Sequence, residues 1–145
     1  MDISTIPGAK EVVFGSIPVS SGNAKVLFDP SASHSFISRQ YAKDHNILML
    51  PRGKTVMVET PRGEIKADRV CPKVSLDIKG VNFKVNLIVL ELMGIDVILG
   101  IDWLSTCKGV IEYAQCSVFL TTLSGERIEY EGIKSIPEGY QVDPS

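Results

Sequence analysis

The sequence has no block of basic residues, no low-complexity tract, few cysteines and no uninterrupted apolar run long enough to cross a bilayer. Each absence removes a class of function. The 15 Lys and Arg and 17 Asp and Glu are interspersed and leave a net charge of −2, without the clustered positive charge that holds polyanions or anionic lipid. Nucleic acid and membrane surfaces are therefore not expected partners. Cys71, Cys107 and Cys116 form no C-x-x-C pair and have no histidine close by, a pattern that predicts buried thiols in place of a disulfide framework or a zinc site. No metal or other cofactor is expected. The richest apolar stretch, 85–104, is broken by Glu91, Asp96 and Asp102 and falls short of a membrane helix. The opening MDISTIPGAK carries an early acid and no apolar segment, unlike a secretory signal, so secretion is not expected.

What is present suits one domain with a real core: 145 residues, 44% of them hydrophobic. Alternation and β-branched content predict strands over 11–19, 24–29, 54–60, 64–78, 83–90, 97–99, 109–113, 117–122 and 127–130. Ser21-Gly22-Asn23, Pro61-Arg62-Gly63, Lys79-Gly80 and Ser124-Gly125 supply turns. Two short helices interrupt a mostly β chain, one over 35–44 and one beginning at Asp102 as an acidic N-cap. The folded domain is expected over 11–132, between an N-terminal extension at 1–10 and a tail or linker at 133–145.

One stretch, VLFDPSASHSF at 26–36, ends an apolar run in a carboxylate followed by turn formers. Pro30 biases Asp29 toward extended angles, so the acid leaves the strand and is displayed on a tight loop. Such an acid commonly does no more than accept local backbone N–H groups. A second element, IDVILGIDWL at 95–104, runs an apolar strand through one glycine into a helix start. The remaining polar candidates have plain readings. His34 has no orienting carboxylate for a Ser–His pair, and His45 suits the C-terminal end of the first helix. Trp103 suits packing, while Asp68 and Arg69 suit cross-strand or solvent-facing positions.

Together, VLFDPSASHSFIS and DVILGIDWL, some seventy residues apart, resemble the retropepsin-like aspartic protease domain of LTR retrotransposons, in particular the plant gypsy class. VETPRGEIKADRV between them resembles the flap hairpin, with Pro61, Arg62, Gly63 and Glu64 at its tip. The resemblance covers about 12–132. It implies a closed β-barrel with a flap, and an endopeptidase in which Asp29 is the catalytic residue. Pro30, Ser31, Ala32 and Ser33 would form the active-site loop, with Leu99, Gly100 and Asp102 as structural residues beside it. Two carboxylates sharing one proton activate a water in this family, without metal or covalent intermediate. The chain offers one such loop, because the only other candidate, VSLDIKG at 74–80, reads as a hairpin turn. The implied enzyme is therefore a homodimer, its substrate an extended peptide such as the parent polyprotein, and its location the cytoplasm or a retroelement particle.

The loop departs from the family's Asp, Thr or Ser, Gly, Ala. Pro30 lacks the hydroxyl and N–H that bond across the dimer axis, and Ser31 adds a Cβ at the glycine position. Ile101 stands where many retroviral relatives carry arginine, a subfamily trait. Loss of one well-placed hydrogen bond costs about 1 to 3 kcal/mol, or about ten- to a hundredfold in rate. These departures support an alternative reading, a weak or inactive retropepsin fold that serves as a dimerisation or peptide-binding module.

Overall fold

The structure, a computed structural model, describes residues 12–60 and 63–133. The order is β1 (Val13–Val19), β2 (Gly22–Phe28), β3 (Phe36–Ser38), α1 (Arg39–Asp44), β4 (Leu50–Thr60), β5 (Gly63–Ile78), β6 (Val81–Leu90), β7 (Val97–Leu99), α2 (Ile101–Thr106), β8 (Val110–Glu112), a 3₁₀ turn (Tyr113–Gln115), β9 (Ser117–Thr121) and β10 (Arg127–Glu131). The mostly β class read from the sequence is the class observed. Seven strands form one sheet in the order β1-β2-β7-β3-β6-β5-β4, and β10-β9-β8 form a second. One pair, Val19 with Leu76, joins β1 back to β5, reinforced by Ser20 N–H donating to Ser75 O at 2.9 Å. Six strands thus follow one another in a ring, with β4 outside it.

The centre of the large sheet explains the apolar runs. β7 lies between β2 and β3, parallel to β2 and antiparallel to β3. Both faces of these strands are covered: Val26, Phe28, Ile37, Val97 and Leu99 enter one apolar cluster, while Leu27, Phe36 and Ile98 enter another. Strands covered on both faces read as continuous hydrophobic sequence instead of alternation. The same topology brings three chain positions to one edge. β2 and β7 both end there, at Phe28 and Leu99, and antiparallel β3 begins there, at Phe36. The next residues outward are Asp29, Gly100 and Ser35.

Several boundaries differ from the sequence expectation. Phe36–Ser38 is a strand, not the first turn of a helix over 35–44, because its residues are buried and paired to β6 on one side and β7 on the other. Ser38 then caps α1, its hydroxyl accepting from Tyr41 N–H at 3.3 Å. β4 starts at Leu50, and its pairing with β5 is irregular between Pro51 and Val56. Ile133 pairs with Phe14. The expected extension at 1–10 and all of the expected tail beyond Ile133 lie outside the described residues. At the β5–β6 turn, Lys79 and Gly80 have φ of 55° and 82°, the paired left-handed conformation that a two-residue hairpin favours.

Trp103 is 5% exposed in the larger cluster and meets Phe83 edge-on at 5.7 Å between centroids. Trp103→Ala should therefore lower stability by about 3 to 5 kcal/mol, read as an earlier urea midpoint. Two of the three thiols are buried as expected, but Cys116 is only half-buried, at the left-handed end of the 3₁₀ turn. Burial pushes Cys71 and Cys107 up to about 11. At pH 8, iodoacetamide should modify Cys116 well before the other two, measurable by mass spectrometry of the native protein.

Candidate active site

Asp29 follows the last residue of β2, and its N–H donates to Leu99 O at 2.9 Å. Ala32 N–H donates back to Asp29 O at 3.1 Å, closing a turn over Asp29-Pro30-Ser31-Ala32. Pro30 occupies the second position of that turn, where its fixed φ is favourable and no N–H is needed. Ser31 then faces the carboxylate. Its N–H reaches Asp29 Oδ1 at 3.0 Å and its hydroxyl the same oxygen at 2.6 Å. Both are charge-assisted when Asp29 is ionised, and the hydroxyl bond has the short length of that class.

The side chain of Asp29 is 0% exposed, which corrects the expectation of a displayed acid. The chain does leave the strand at Phe28, but the turn folds back on itself and onto β7. Burying a carboxylate is costly unless donors meet it, and Ser31 supplies two.

The loop rests against Gly100. A Cβ at this position would lie 2.3 Å from His34 O and 2.6 Å from Ala32 O, so no other residue fits without displacing main chain. Ile101 N–H donates to Ala32 O at 2.8 Å. Ser35 is fully buried, its hydroxyl accepting from Gly100 N–H at 2.9 Å and donating to Asp102 Oδ1 at 2.6 Å. Ser35 N–H reaches Asp102 Oδ2 at 3.2 Å, and Trp103 N–H reaches Oδ1 at 2.7 Å. The N-cap of α2 is Gly100, not Asp102 as the sequence suggested, and it makes no side-chain cap bond. Asp102 is used to tie the Asp29 loop to the helix start.

The expected loop residues are thus brought together, with Leu99, Gly100 and Asp102 beneath them. Ala32 is buried in the smaller cluster, while Ser33 is exposed and its hydroxyl lies 3.1 Å from His34 Nδ1. No Ser–His–acid relay is built here, since Ser31 turns to Asp29 and Ser35 to Asp102. Gly63, at φ 110°, and Glu64 are exposed at the β4–β5 hairpin, a separate element. Pro61 and Arg62 lie outside the described residues. Asp68 and Arg69 face solvent, Ile101 is 44% exposed, and His45 caps the C-terminal end of α1 with its ring 4.1 Å from that of Tyr41. Asp77 of the VSLDIKG stretch accepts from Gly80 N–H at 3.0 Å, as a hairpin turn requires. The residue that sequence reasoning undervalued is Ser35. Its signal was a hydroxyl immediately before a buried strand, which must find partners inside.

The central strands of the sheet thus converge on one buried carboxylate that takes two donors from Ser31. The family model described as retroviral aspartyl protease matches residues 3–126. The chain belongs to that family. Its fold is similar to the retroviral protease-like domain of Ddi1 from Leishmania major, with a TM-score of 0.67 and 16% identity over 84% of this chain and 94% of that one. EIAV protease, in a complex with the inhibitor HBY-793, aligns with a TM-score of 0.49 and 20% identity over 64% of this chain and 85% of that one. No curated protein sequence matches the chain.

Gly100→Ala should destabilise the chain and disorder the loop, because backbone oxygens cannot yield as a flexible side chain can. Ser35→Ala should cost about 1 to 3 kcal/mol by leaving Gly100 N–H and Asp102 short of a partner. Thermal denaturation of the two variants should order them wild type, Ser35→Ala, then Gly100→Ala.

Proposed function

We propose that this chain is a homodimeric aspartic endopeptidase that cleaves extended polypeptides. The observation that carries the reading is the Asp29 carboxylate, buried at the convergence of three strands and clasped at one oxygen by Ser31. One chain supplies one such acid among its described residues, so a dyad needs a second protomer. With two carboxylates about 3 Å apart, one proton is shared. The ionised partner takes a proton from water as it attacks the scissile carbonyl, and the protonated partner donates to the carbonyl oxygen. The β4–β5 hairpin serves as the flap, with Pro61, Arg62, Gly63 and Glu64 over a substrate held in strand-like fashion. Exposed Ser33 lines that cleft, and Ala32 is buried behind it.

The sequence resemblance further supports an origin in a gypsy-class, plant-type retroelement, with the parent polyprotein as substrate and the cytoplasm or element particles as location. The protease domain is drawn at 11–132. A second reading, a fold that binds peptide or dimerises without turnover, is favoured by the complete burial of Asp29 in the single chain.

The purified chain, incubated with a diverse peptide mixture from acidic to neutral pH and read by mass spectrometry, should cleave. Asp29→Ala should reduce the rate at least about a hundredfold at unchanged fold. Cleavage that survives Asp29→Ala would remove the aspartic mechanism, and a folded dimer with no cleavage at any pH would favour the binding module. A monomeric mass at every concentration, with and without peptide, would exclude the shared dyad.

A further inference from the structure

We infer that Ser31 is a positioning residue that orients the Asp29 carboxylate from within its own protomer. The inference rests on the protease reading and adds to it the origin of the dyad's alignment. Two donors from one residue converge on Oδ1, the N–H at 3.0 Å and the hydroxyl at 2.6 Å. The two bonds to one oxygen restrain rotation of the carboxylate, while the Asp29 N–H bond to Leu99 O at 2.9 Å holds the main chain that carries it. Pro30 has no donor with which to reach a partner chain. The serine makes its contacts inside the turn that Pro30 stiffens, so alignment of each acid does not depend on the other subunit.

Ser31 is itself exposed. Truncating it leaves no core cavity, and the turn is still closed by Ala32 N–H to Asp29 O. A purely structural role at such a position predicts little change on substitution. A positioning role predicts a loss confined to the chemical step, since the hydroxyl is bonded to the reacting acid.

The test compares wild type, Ser31→Ala, Ser31→Gly and Ser31→Thr on one peptide that wild type cleaves in an Asp29-dependent manner, with dimer dissociation constants measured by analytical ultracentrifugation. Ser31→Ala and Ser31→Gly should each lose about tenfold or more in kcat at unchanged KM. The dimer constant should stay within about twofold, and Ser31→Thr, which keeps the hydroxyl, should recover most of the rate. Equal kcat in wild type, Ser31→Ala and Ser31→Gly would overturn the inference and leave the protease reading standing. The same holds if both lose rate only through weaker dimerisation, restored at high protein concentration. If wild type gives no Asp29-dependent cleavage, the protease reading falls and the positioning role falls with it. Ser31→Gly guards against a folding artefact in Ser31→Ala, because it keeps the donor N–H with the least steric demand.

Discussion

The loop that carries Asp29 lies on the end of β7 only because position 100 has no side chain. Main-chain oxygens of Ala32 and His34 come within 2.6 Å of where a Cβ would stand, closer than a methyl group permits. This contact sets the distance between loop and sheet. At that distance Ile101 N–H reaches Ala32 O, and Ser35 fits beneath Gly100. Asp102 can then bridge the loop to α2. A larger residue at position 100 would lengthen these bonds together, which makes the glycine a steric condition for the polar network.

The network also accounts for the acids at the sheet edge. Asp29 and Ser35 are two of the few buried polar side chains among the described residues, and each is costly inside an apolar core unless its donors and acceptors are met. The Ser35 hydroxyl gives one bond and receives one, while Asp102 collects three donors, two from Ser35 and one from Trp103. Asp29 takes two on one oxygen. The two carboxylates therefore have different work. Asp102 is engaged by the loop and the helix start and acts as a brace, whereas Asp29 stands at the strand end where the chain's chemistry is expected.

Much of this is legible in the sequence, for definite reasons. The apolar runs at Val26-Leu27-Phe28 and Val97-Ile98-Leu99 read as strands, and Asp29 and Gly100 stand out as the residues that end them, whereas the cover on both faces comes from the packing. The β3 strand was not readable, because Phe36-Ile37-Ser38 is too short for period to separate strand from helix. Only pairing with β6 and β7, both distant in sequence, decides it. The burial of Asp29 is illegible for the same reason: local chemistry puts an acid before proline on a loop, and the packing of that acid against β7 is a tertiary effect. Position alone makes Asp102 a helix cap, but Ser35, 67 residues earlier, competes for it. Ser31's hydroxyl direction depends on one rotamer, which no sequence pattern fixes.

The unusual loop sequence forms a consistent local design when its residues are taken together. Proline at the second turn position removes a donor and narrows the unfolded chain's conformations, a stabilising exchange where the native φ suits the ring. Serine at the third position places a hydroxyl on the acid at 2.6 Å, and so returns one hydrogen bond to the site. The exchange is not neutral with respect to assembly. A donor aimed across a two-fold axis strengthens the dimer and the dyad together, whereas a donor aimed at its own aspartate serves the dyad alone. Beside the loop's Gly100 seat, Ile101 is 44% exposed and presents apolar surface. The direction of the Asp29 carboxylate is therefore set within one chain, by the Asp29–Ala32 turn and the serine that the turn carries.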